Sequence, residues 1–151
     1  MNANLDLLQT TQCLCLASRR AARAITRRFD KALRPHGIRA TQFTLLSALK
    51  LAGPQPIGEL AELIGADRTT LTRNLAVAAE QGLVALCQDE DDARAHIAAI
   101  TPAGQRAVKK ALPAWRLVQQ ELTEAMGKPA ADSLRRVSAG PSLILFAARH
   151  D

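Results

Sequence analysis

The chain has 151 residues and a formal net charge of +6, and it is 48% hydrophobic but only 3% aromatic. This length allows one domain, or one domain with dimerisation extensions. A core this poor in aromatic residues must consist of Leu, Ala, Ile and Val, which favours helices over sheets. No apolar run is long enough to cross a bilayer, so we expect no membrane partner.

The cysteines and the N-terminal sequence bear on the cellular compartment. Three cysteines, an odd number without the spacing of a disulfide framework, indicate reduced thiols. Arg19 and Arg20 interrupt the apolar run that begins at Cys13, so the sequence predicts no secretion signal. We therefore expect a cytoplasmic protein.

Residues 5–34 predict one long helix. Apolar side chains recur at three-four spacing from Leu14 to Ala32, and seven basic residues cover the other faces. The Pro-His-Gly sequence at 35–37 ends the helix. We expect the basic face to be solvated; the alternative is that some of its arginines contact phosphates at the flank of a DNA site.

The next predicted helix covers residues 41–51. Thr41 is its expected cap, and Phe43, Leu46 and Leu49 point inward. The Gly-Pro-Gln-Pro sequence at 53–56 then predicts a turn, which leads into the segment with the clearest functional pattern.

Residues 57–82 predict a helix-turn-helix. An apolar stripe at helical spacing covers 57–64, Gly65 ends this first helix, and Asp67 caps the second one. Two leucines four residues apart in the second helix point inward, which leaves Arg, Thr and Asn on its outer face. Such a face suits a DNA groove, since Arg reads guanine, Asn reads adenine, and Thr contacts phosphates or thymine methyl groups. The candidate DNA contacts on this helix are Arg68, Thr69, Thr70, Thr72, Arg73 and Asn74.

The segment 83–101 predicts a β-hairpin wing. Residues 83–87 are expected to form one strand and 95–100 the returning strand, and the polar loop between them carries four consecutive acids. Arg94, near the tip, is the candidate minor-groove contact. His96 either contacts a phosphate or is an exposed turn residue.

Two further helices are predicted after the wing. Thr101 caps the first, which extends to about residue 126 and can kink at Pro113. The second covers 130–149, with a weak point at its Gly-Pro pair, and is more apolar than one exposed helix needs. We therefore expect the terminal helices to pack on a second copy of the chain. The predicted organisation is a single winged-helix domain over 1–151, mainly helical with a small β-hairpin, with a DNA-binding core over 41–101 and dimerisation helices over 1–35 and 102–151.

The charge is distributed unevenly along the chain. Residues 51–100, which contain the predicted DNA reader, hold three basic against eight acidic residues, a net charge of −5. The flanking segments 1–50 and 101–151 carry +7 and +4. This distribution keeps open a rival hypothesis, a winged-helix protein-interaction module that has lost DNA binding.

The order of these elements resembles the multiple-antibiotic-resistance regulator (MarR) family. The motifs that carry the resemblance extend along nearly the whole chain. They are Ala32-Leu33-Arg34-Pro35-His36-Gly37-Ile38, Thr41-Gln42-Phe43, Asp67-Arg68-Thr69-Thr70-Leu71-Thr72-Arg73-Asn74-Leu75, Gly82-Leu83-Val84, Asp92-Ala93-Arg94 and Ile100-Thr101-Pro102-Ala103-Gly104. The resemblance implies a winged-helix homodimer that binds palindromic double-stranded DNA, usually as a repressor released by a ligand or an oxidant.

The resemblance also implies candidate effector positions. Cys15 falls where the organic-peroxide-sensing branch (OhrR) carries its reactive cysteine, and Arg19 lies one turn later. That branch polarises the thiol with tyrosines, which this chain lacks, so a buried inert cysteine is the alternative. On a helix, Cys13 would point roughly 200° away from Cys15, too far for a shared disulfide or metal. Cys87 is expected to pack. Trp115 either lines a cleft for a small aromatic ligand or packs in the dimer interface.

No pattern in the sequence indicates catalysis or a bound metal. The three histidines, His36, His96 and His150, are too scattered to form a zinc site. The sequence contains neither a Gly-rich phosphate loop nor a nucleophile elbow. We therefore expect no cofactor and no enzymatic activity, and we expect the acids at 89–92 to form a solvated loop rather than a cation site.

Overall fold

The computed structural model describes residues 9–88 and 96–139, which form a mainly helical fold with one three-stranded antiparallel sheet. In chain order the elements are α1 (Leu14–Leu33), α2 (Ala40–Ala52), β1 (Gln55–Pro56), α3 (Ile57–Ile64), α4 (Arg68–Glu80), β2 (Val84–Gln88), β3 (His96–Ile100), α5 (Pro102–Met126) and α6 (Lys128–Ser138). This order confirms the predicted winged helix-turn-helix, because α3, a turn and α4 are followed directly by the β2–β3 hairpin. None of the helices in the described ranges is both long and apolar enough to span a bilayer.

The first helix is shorter than predicted. A 3-10 helix, Gln9–Gln12, precedes α1, and Cys13 between them has φ −59° and ψ 124°, outside the helical region. The continuous helix predicted over 5–34 is therefore wrong at Cys13, and its first four residues lie outside the described ranges. The apolar repeat begins only at Leu14, and the four residues before Cys13 are all polar, so the repeat did not support a helix over residues 9–12. At the other end, the chain leaves the helix through a 3-10 turn and Gly37, as predicted.

The start of α2 corrects the predicted cap. The helix begins at Ala40 with Arg39 as the N-cap, so Thr41 lies inside the first turn. The acceptors for the free N–H groups come from elsewhere: Oε1 of Gln42 accepts from the Arg39 N–H at 3.0 Å, and Oδ1 of Asp30 on α1 accepts from the Ala40 N–H at 2.8 Å. Because these acceptors satisfy the first N–H groups of the turn, the helix starts without a Thr cap.

The described residues belong to two compact units, one ending at Trp115 and the other beginning at Arg116. The core of the first unit is aliphatic, as the composition predicted. Its largest fully buried side chains are Leu33, Leu45, Leu46, Leu49, Leu60, Leu71 and Leu75. Burying each leucine contributes about 1.5–3 kcal/mol, and the two leucines from α4 hold that helix against α2 and α3.

An aromatic stack completes the first unit. The ring centroid of Trp115 lies 6.3 Å from that of Phe29 and 5.7 Å from that of Phe43. The interplanar angles are 26° and 17°. Trp115 on α5 thereby contacts a residue of α1 and a residue of α2.

The sheet has the order β1–β3–β2, with both pairs antiparallel. Val84 pairs with Ile100 and Gln88 with His96, so β2 and β3 form the predicted hairpin. The segment 89–95, which holds the four acids of the predicted loop, lies outside the described residues. The two-residue strand β1 was predicted as a turn; its pairing with Ala98 and Ile97 of β3 depends on a distant partner that local sequence does not indicate.

Helix α5 begins beside the first strand of the wing. Thr101 caps it as predicted, because its Oγ1 accepts from the Gly104 N–H at 3.1 Å. The same hydroxyl donates to the Gly82 carbonyl oxygen at 2.7 Å. The Thr101 N–H donates to the Leu83 carbonyl oxygen at 3.1 Å. These bonds join the start of α5 to the start of β2. Pro113 lies inside the helix.

The second unit contains the end of α5 and all of α6. Val118 and Ala131 are its buried apolar side chains among the described residues. Helix α6 begins at Lys128 rather than at residue 130, because Gly127, with φ 79°, serves as the N-cap. The remainder of the predicted last helix, beyond residue 139, lies outside the described ranges.

Candidate nucleic-acid interface

The turn between α3 and α4 has the predicted geometry. Gly65 adopts φ 65° and ψ 34°, a left-handed conformation that glycine accepts without a steric penalty. The Ala66 N–H donates to the Ala61 carbonyl oxygen at 3.0 Å, which satisfies one of the last carbonyls of α3. The chain therefore leaves α3 in a fixed direction and enters α4 within three residues.

Asp67 caps the first turn of α4, as predicted. Its Oδ1 accepts from the Thr70 N–H at 2.8 Å. Hydrogen bonds from the Thr70 hydroxyl and backbone hold the pKa of Asp67 below its ordinary value. The cap is therefore present above the ordinary aspartate pKa and is lost as the pH falls through the lowered one. At neutral pH the first turn of α4 is ordered before any ligand arrives.

One face of α4 is polar and accessible. Thr69, Thr72 and Arg73 recur at helical spacing on this face, and all three are exposed. Arg68 is exposed at the helix N-terminus. The opposite face carries Leu71, Leu75 and Ala78, each 0% exposed. The leucines thus anchor the helix while the Arg and Thr side chains face solvent.

Thr70 and Asn74 occupy a different side of α4 from the other candidates. The Thr70 hydroxyl is engaged with Asp67, and Asn74 is half-buried instead of facing outward as expected. Both residues line a cavity between α1, α2 and α4. Within the predicted set, the accessible polar side chains on α4 that do not line this cavity are therefore Arg68, Thr69, Thr72 and Arg73.

The cavity has a volume of about 340 Å³ and is open to solvent. Among the described residues, twelve line it, and none of these carries a charge. Its polar lining residues are Thr26, Thr41, Thr44, Thr70 and Asn74. Trp115, the candidate ligand contact, is not one of the lining residues. It stacks on Phe29, which does line the cavity. An occupant would therefore contact α1 and α4 at once, and would reach Trp115 only through Phe29.

The wing residues are described in part. His96 is exposed on β3, opposite Gln88. Arg94 lies outside the described residues, so the predicted minor-groove contact stays a prediction. Cys87 is exposed on β2, which makes the expected packing role wrong, because its strand position faces away from the core.

The remaining cysteines stand at the start of α1. Cys13 and Cys15 are both exposed, as is Arg19 one turn later. Burial of Cys15 is therefore wrong for the single chain, whereas its reactivity stays a prediction. The predicted angle of roughly 200° between the Cys13 and Cys15 side chains is also wrong, because it assumed that both lie on one helix. Cys13 precedes α1 and does not have helical backbone geometry. Within residues 9–88 and 96–139, no group of three His, Cys, Asp or Glu residues is placed to hold a metal ion.

One polar contact behind α4 was not predicted from the sequence. Gln42 on α2 is only 6% exposed, and its Nε2 donates to Oε1 of Gln81 at 2.6 Å. Gln81 is the residue that follows α4. The Thr-Gln-Phe motif at 41–43 marks the position of Gln42, but its partner lies 39 residues away and no local pattern connects the two.

Comparisons with known proteins agree with this geometry. Residues 36–95 match a family model described as MarR family. The chain is similar to the Mycobacterium tuberculosis transcriptional regulator MosR in complex with DNA, with 41% identity, a TM-score of 0.78, and coverage of 91% of this chain and 98% of that one. A second crystal structure of M. tuberculosis MosR gives 38% identity and a TM-score of 0.76, with coverage of 91% of this chain and 98% of that one. A mutant MarR from E. coli complexed with operator DNA shares the fold, with 19% identity, a TM-score of 0.71, and coverage of 92% and 97%. No curated protein sequence matches the chain.

Proposed function

Because the chain belongs to the MarR family, we propose that it is a sequence-specific double-stranded DNA-binding transcriptional regulator. In this proposal it acts as a homodimeric repressor on a palindromic operator and is released by a small ligand or an oxidant. The observation that carries the proposal is the exposed Arg and Thr face of α4, held on buried leucines and capped by Asp67.

The chemistry of that face supports groove binding. An arginine presents a planar fork of donors that matches two acceptors on the edge of guanine. Arg73 lies on the same face as two threonines, whose hydroxyl and methyl groups suit phosphates and thymine. The crystal structure of MosR with DNA, at 41% identity, supports the same assignment here.

Apolar side chains left exposed by the single chain support a homodimer. Leu14 at the start of α1 is 84% exposed, and Leu117 and Leu134 of the second unit are 63% and 42% exposed. A second copy that covers such side chains would fix the separation of two α4 helices. On a palindromic operator that separation is about 34–36 Å, one DNA turn.

A mobility-shift assay on the DNA upstream of the protein's own coding sequence tests the proposal. Wild type is expected to retard this fragment in the presence of excess unrelated DNA. The acidic segment 51–100, with its net charge of −5, favours the rival interaction module. If the protein retards the upstream fragment no better than unrelated DNA at any salt concentration tested, the chain is not a sequence-specific regulator. The winged-helix protein-interaction module then becomes the better hypothesis.

The cavity between α1, α2 and α4 supports a small-molecule signal. Its uncharged lining suits a small aromatic compound with one or two hydrogen-bonding groups, which its threonines and Asn74 would bind. Such a ligand would contact Thr70 and Asn74 on α4 itself, so occupancy would bias the position of that helix. The structural relative BpsR from Bordetella bronchiseptica is described as regulated in its DNA binding by 6-hydroxynicotinic acid.

An oxidant is the second candidate signal, and Cys15 is its proposed site. A thiolate there would be oxidised to a sulfenic acid while an organic hydroperoxide is reduced to its alcohol. We expect hydroperoxide to release wild type and the control Cys87→Ser from operator DNA, whereas Cys15→Ser stays bound. Both variants change an exposed cysteine in the same way. Retention of wild type on DNA at saturating hydroperoxide would remove the oxidant from the proposal.

A further inference from the structure

Gln42 is the one polar side chain buried within the described residues, at 6% exposure. Glutamine is rarely buried unless its amide is fully bonded. Both ends of this amide have partners: Oε1 accepts from the Arg39 N–H at 3.0 Å, and Nε2 donates to Oε1 of Gln81 at 2.6 Å. The side chain therefore joins the first residue before α2 to the first residue after α4.

This contact holds the end of α4 that the DNA-reading residues do not occupy. Arg68, Thr69 and Arg73 lie in the first half of the helix, whereas Gln81 follows its last residue. The backbone of Gln81 is tied to the end of α4, because its N–H donates to the Val77 carbonyl oxygen at 3.1 Å. A rotation of α4 that moved the exposed face with Arg68, Thr69 and Arg73 would therefore displace the backbone that carries the Gln81 acceptor.

Apolar packing alone does not provide this restraint. Leu71 and Leu75 set the depth of α4 in the core, but apolar contacts are non-directional and tolerate small rotations of a helix. A hydrogen bond weakens steeply with distance and angle. Since Gln42 is only 6% exposed, losing the Gln81 acceptor would cost the desolvation of its Nε2 donor. The bond therefore favours a single orientation of the helix.

The same turn of α2 is tied to α1. Asp30 on α1 accepts from the Ala40 N–H at 2.8 Å, two residues before Gln42. A continuous series of polar contacts thus connects α1, the start of α2 and the end of α4. The link between the two glutamines is uncharged, so salt does not screen it.

We propose that Gln42 is a positioning residue for operator recognition, acting through Gln81 to orient the reading face of α4. This inference rests on the proposed DNA-binding function. It assigns to Gln42 a role in discrimination between DNA sequences, not in contact with DNA. Losing the bond should therefore lower affinity for the operator more than affinity for unrelated DNA, which depends mainly on charge.

The test uses Gln81, because this partner is exposed and its substitution leaves the core intact. Gln81→Met removes the acceptor, whereas Gln81→Glu keeps an acceptor at the same position. Gln55→Met is the matched control, since the Gln55 amide, within residues 9–88 and 96–139, donates to the nearby Ala52 carbonyl oxygen at 3.2 Å and not to α4. The probes are the upstream fragment that wild type retards and a scrambled duplex of equal length, and the measured quantity is the ratio of the two affinities.

Gln81→Met is expected to lower this ratio roughly tenfold, whereas Gln81→Glu and Gln55→Met keep the wild-type ratio. Using the ratio cancels the effect of the added charge in Gln81→Glu, which acts on both duplexes. Thermal unfolding of each variant, measured in parallel, separates orientation from stability, because a purely structural role would lower the unfolding temperature without changing the ratio.

A wild-type protein that does not prefer the upstream fragment would overturn the proposed function, and this inference with it. A wild type that prefers the fragment, together with an unchanged ratio in Gln81→Met, would overturn the inference alone. The double variant Gln42→Met/Gln81→Met is a second test. If the two residues act through one bond, its affinity ratio should be no lower than the lower of the ratios of Gln42→Met and Gln81→Met.

Discussion

Replacing Arg73 with alanine is expected to abolish the specific complex with operator DNA. A bidentate arginine–guanine pair contributes about 1–3 kcal/mol of discrimination. A homodimer would lose two such pairs, so we expect a loss of about 2–6 kcal/mol in operator binding. Arg73 is exposed on α4 and contributes nothing to the buried core, so the folded state should be unaffected.

Two measurements make the Arg73 result specific. Arg73→Lys keeps the charge but lacks the planar fork, so it should retain binding to unrelated DNA and still lose most operator preference. Unfolding curves of both variants should coincide with that of wild type. If Arg73→Ala retards the operator at wild-type concentrations, the reading face lies elsewhere on the molecule.

Replacing Gly104 with alanine is expected to destabilise the first unit by about 3 kcal/mol or more, at the upper end for overpacked sites. An added Cβ would overlap the Leu83 carbonyl oxygen and lie 2.8 Å from Cγ1 of Ile100. Helix α5 cannot move away freely, because Thr101 bonds its start to Gly82 and Leu83. Denaturant unfolding monitored by circular dichroism measures the loss.

Gly58 provides the matched control for Gly104. It also lies inside a helix, α3, but an added Cβ there meets nothing within 4 Å. Alanine has the higher helix propensity, so Gly58→Ala should stabilise the protein by about 0.5–1 kcal/mol. The two substitutions are chemically identical and should have opposite signs. A stabilising Gly104→Ala would mean that β2 and α5 separate readily.

The parts of the fold that short sequence patterns determine could be predicted. Gly65 and Asp67 mark the turn between α3 and α4 because a left-handed residue and a carboxylate cap act within one helical turn. The buried positions Leu71 and Leu75 follow from helical spacing alone. The exposure of Arg68, Thr69, Thr72 and Arg73 could be predicted for the same reason, because the residues of α4 that do not lie on its apolar face point to solvent.

The features that escaped prediction depend on distant partners. Strand β1 exists because β3 supplies its hydrogen bonds, and the Gln42–Gln81 bond joins two helices across 39 residues. Thr41 looked like a helix cap until Asp30, on another helix, proved to be an acceptor at that turn. The half-buried position of Asn74 likewise depends on the placement of α1 and α2 around the cavity.

The stack of Phe29, Trp115 and Phe43 gives the protein an intrinsic optical reporter. The chain has one tryptophan and no tyrosine, and phenylalanine emits only weakly and at shorter wavelengths, so its long-wavelength ultraviolet fluorescence comes from Trp115. One neighbour of the indole ring, Phe29, is also a wall of the cavity between α1, α2 and α4. A compound that enters the cavity and shifts this phenylalanine changes the surroundings of the single tryptophan. Binding of unlabelled compounds can therefore be followed from the emission of the native chain.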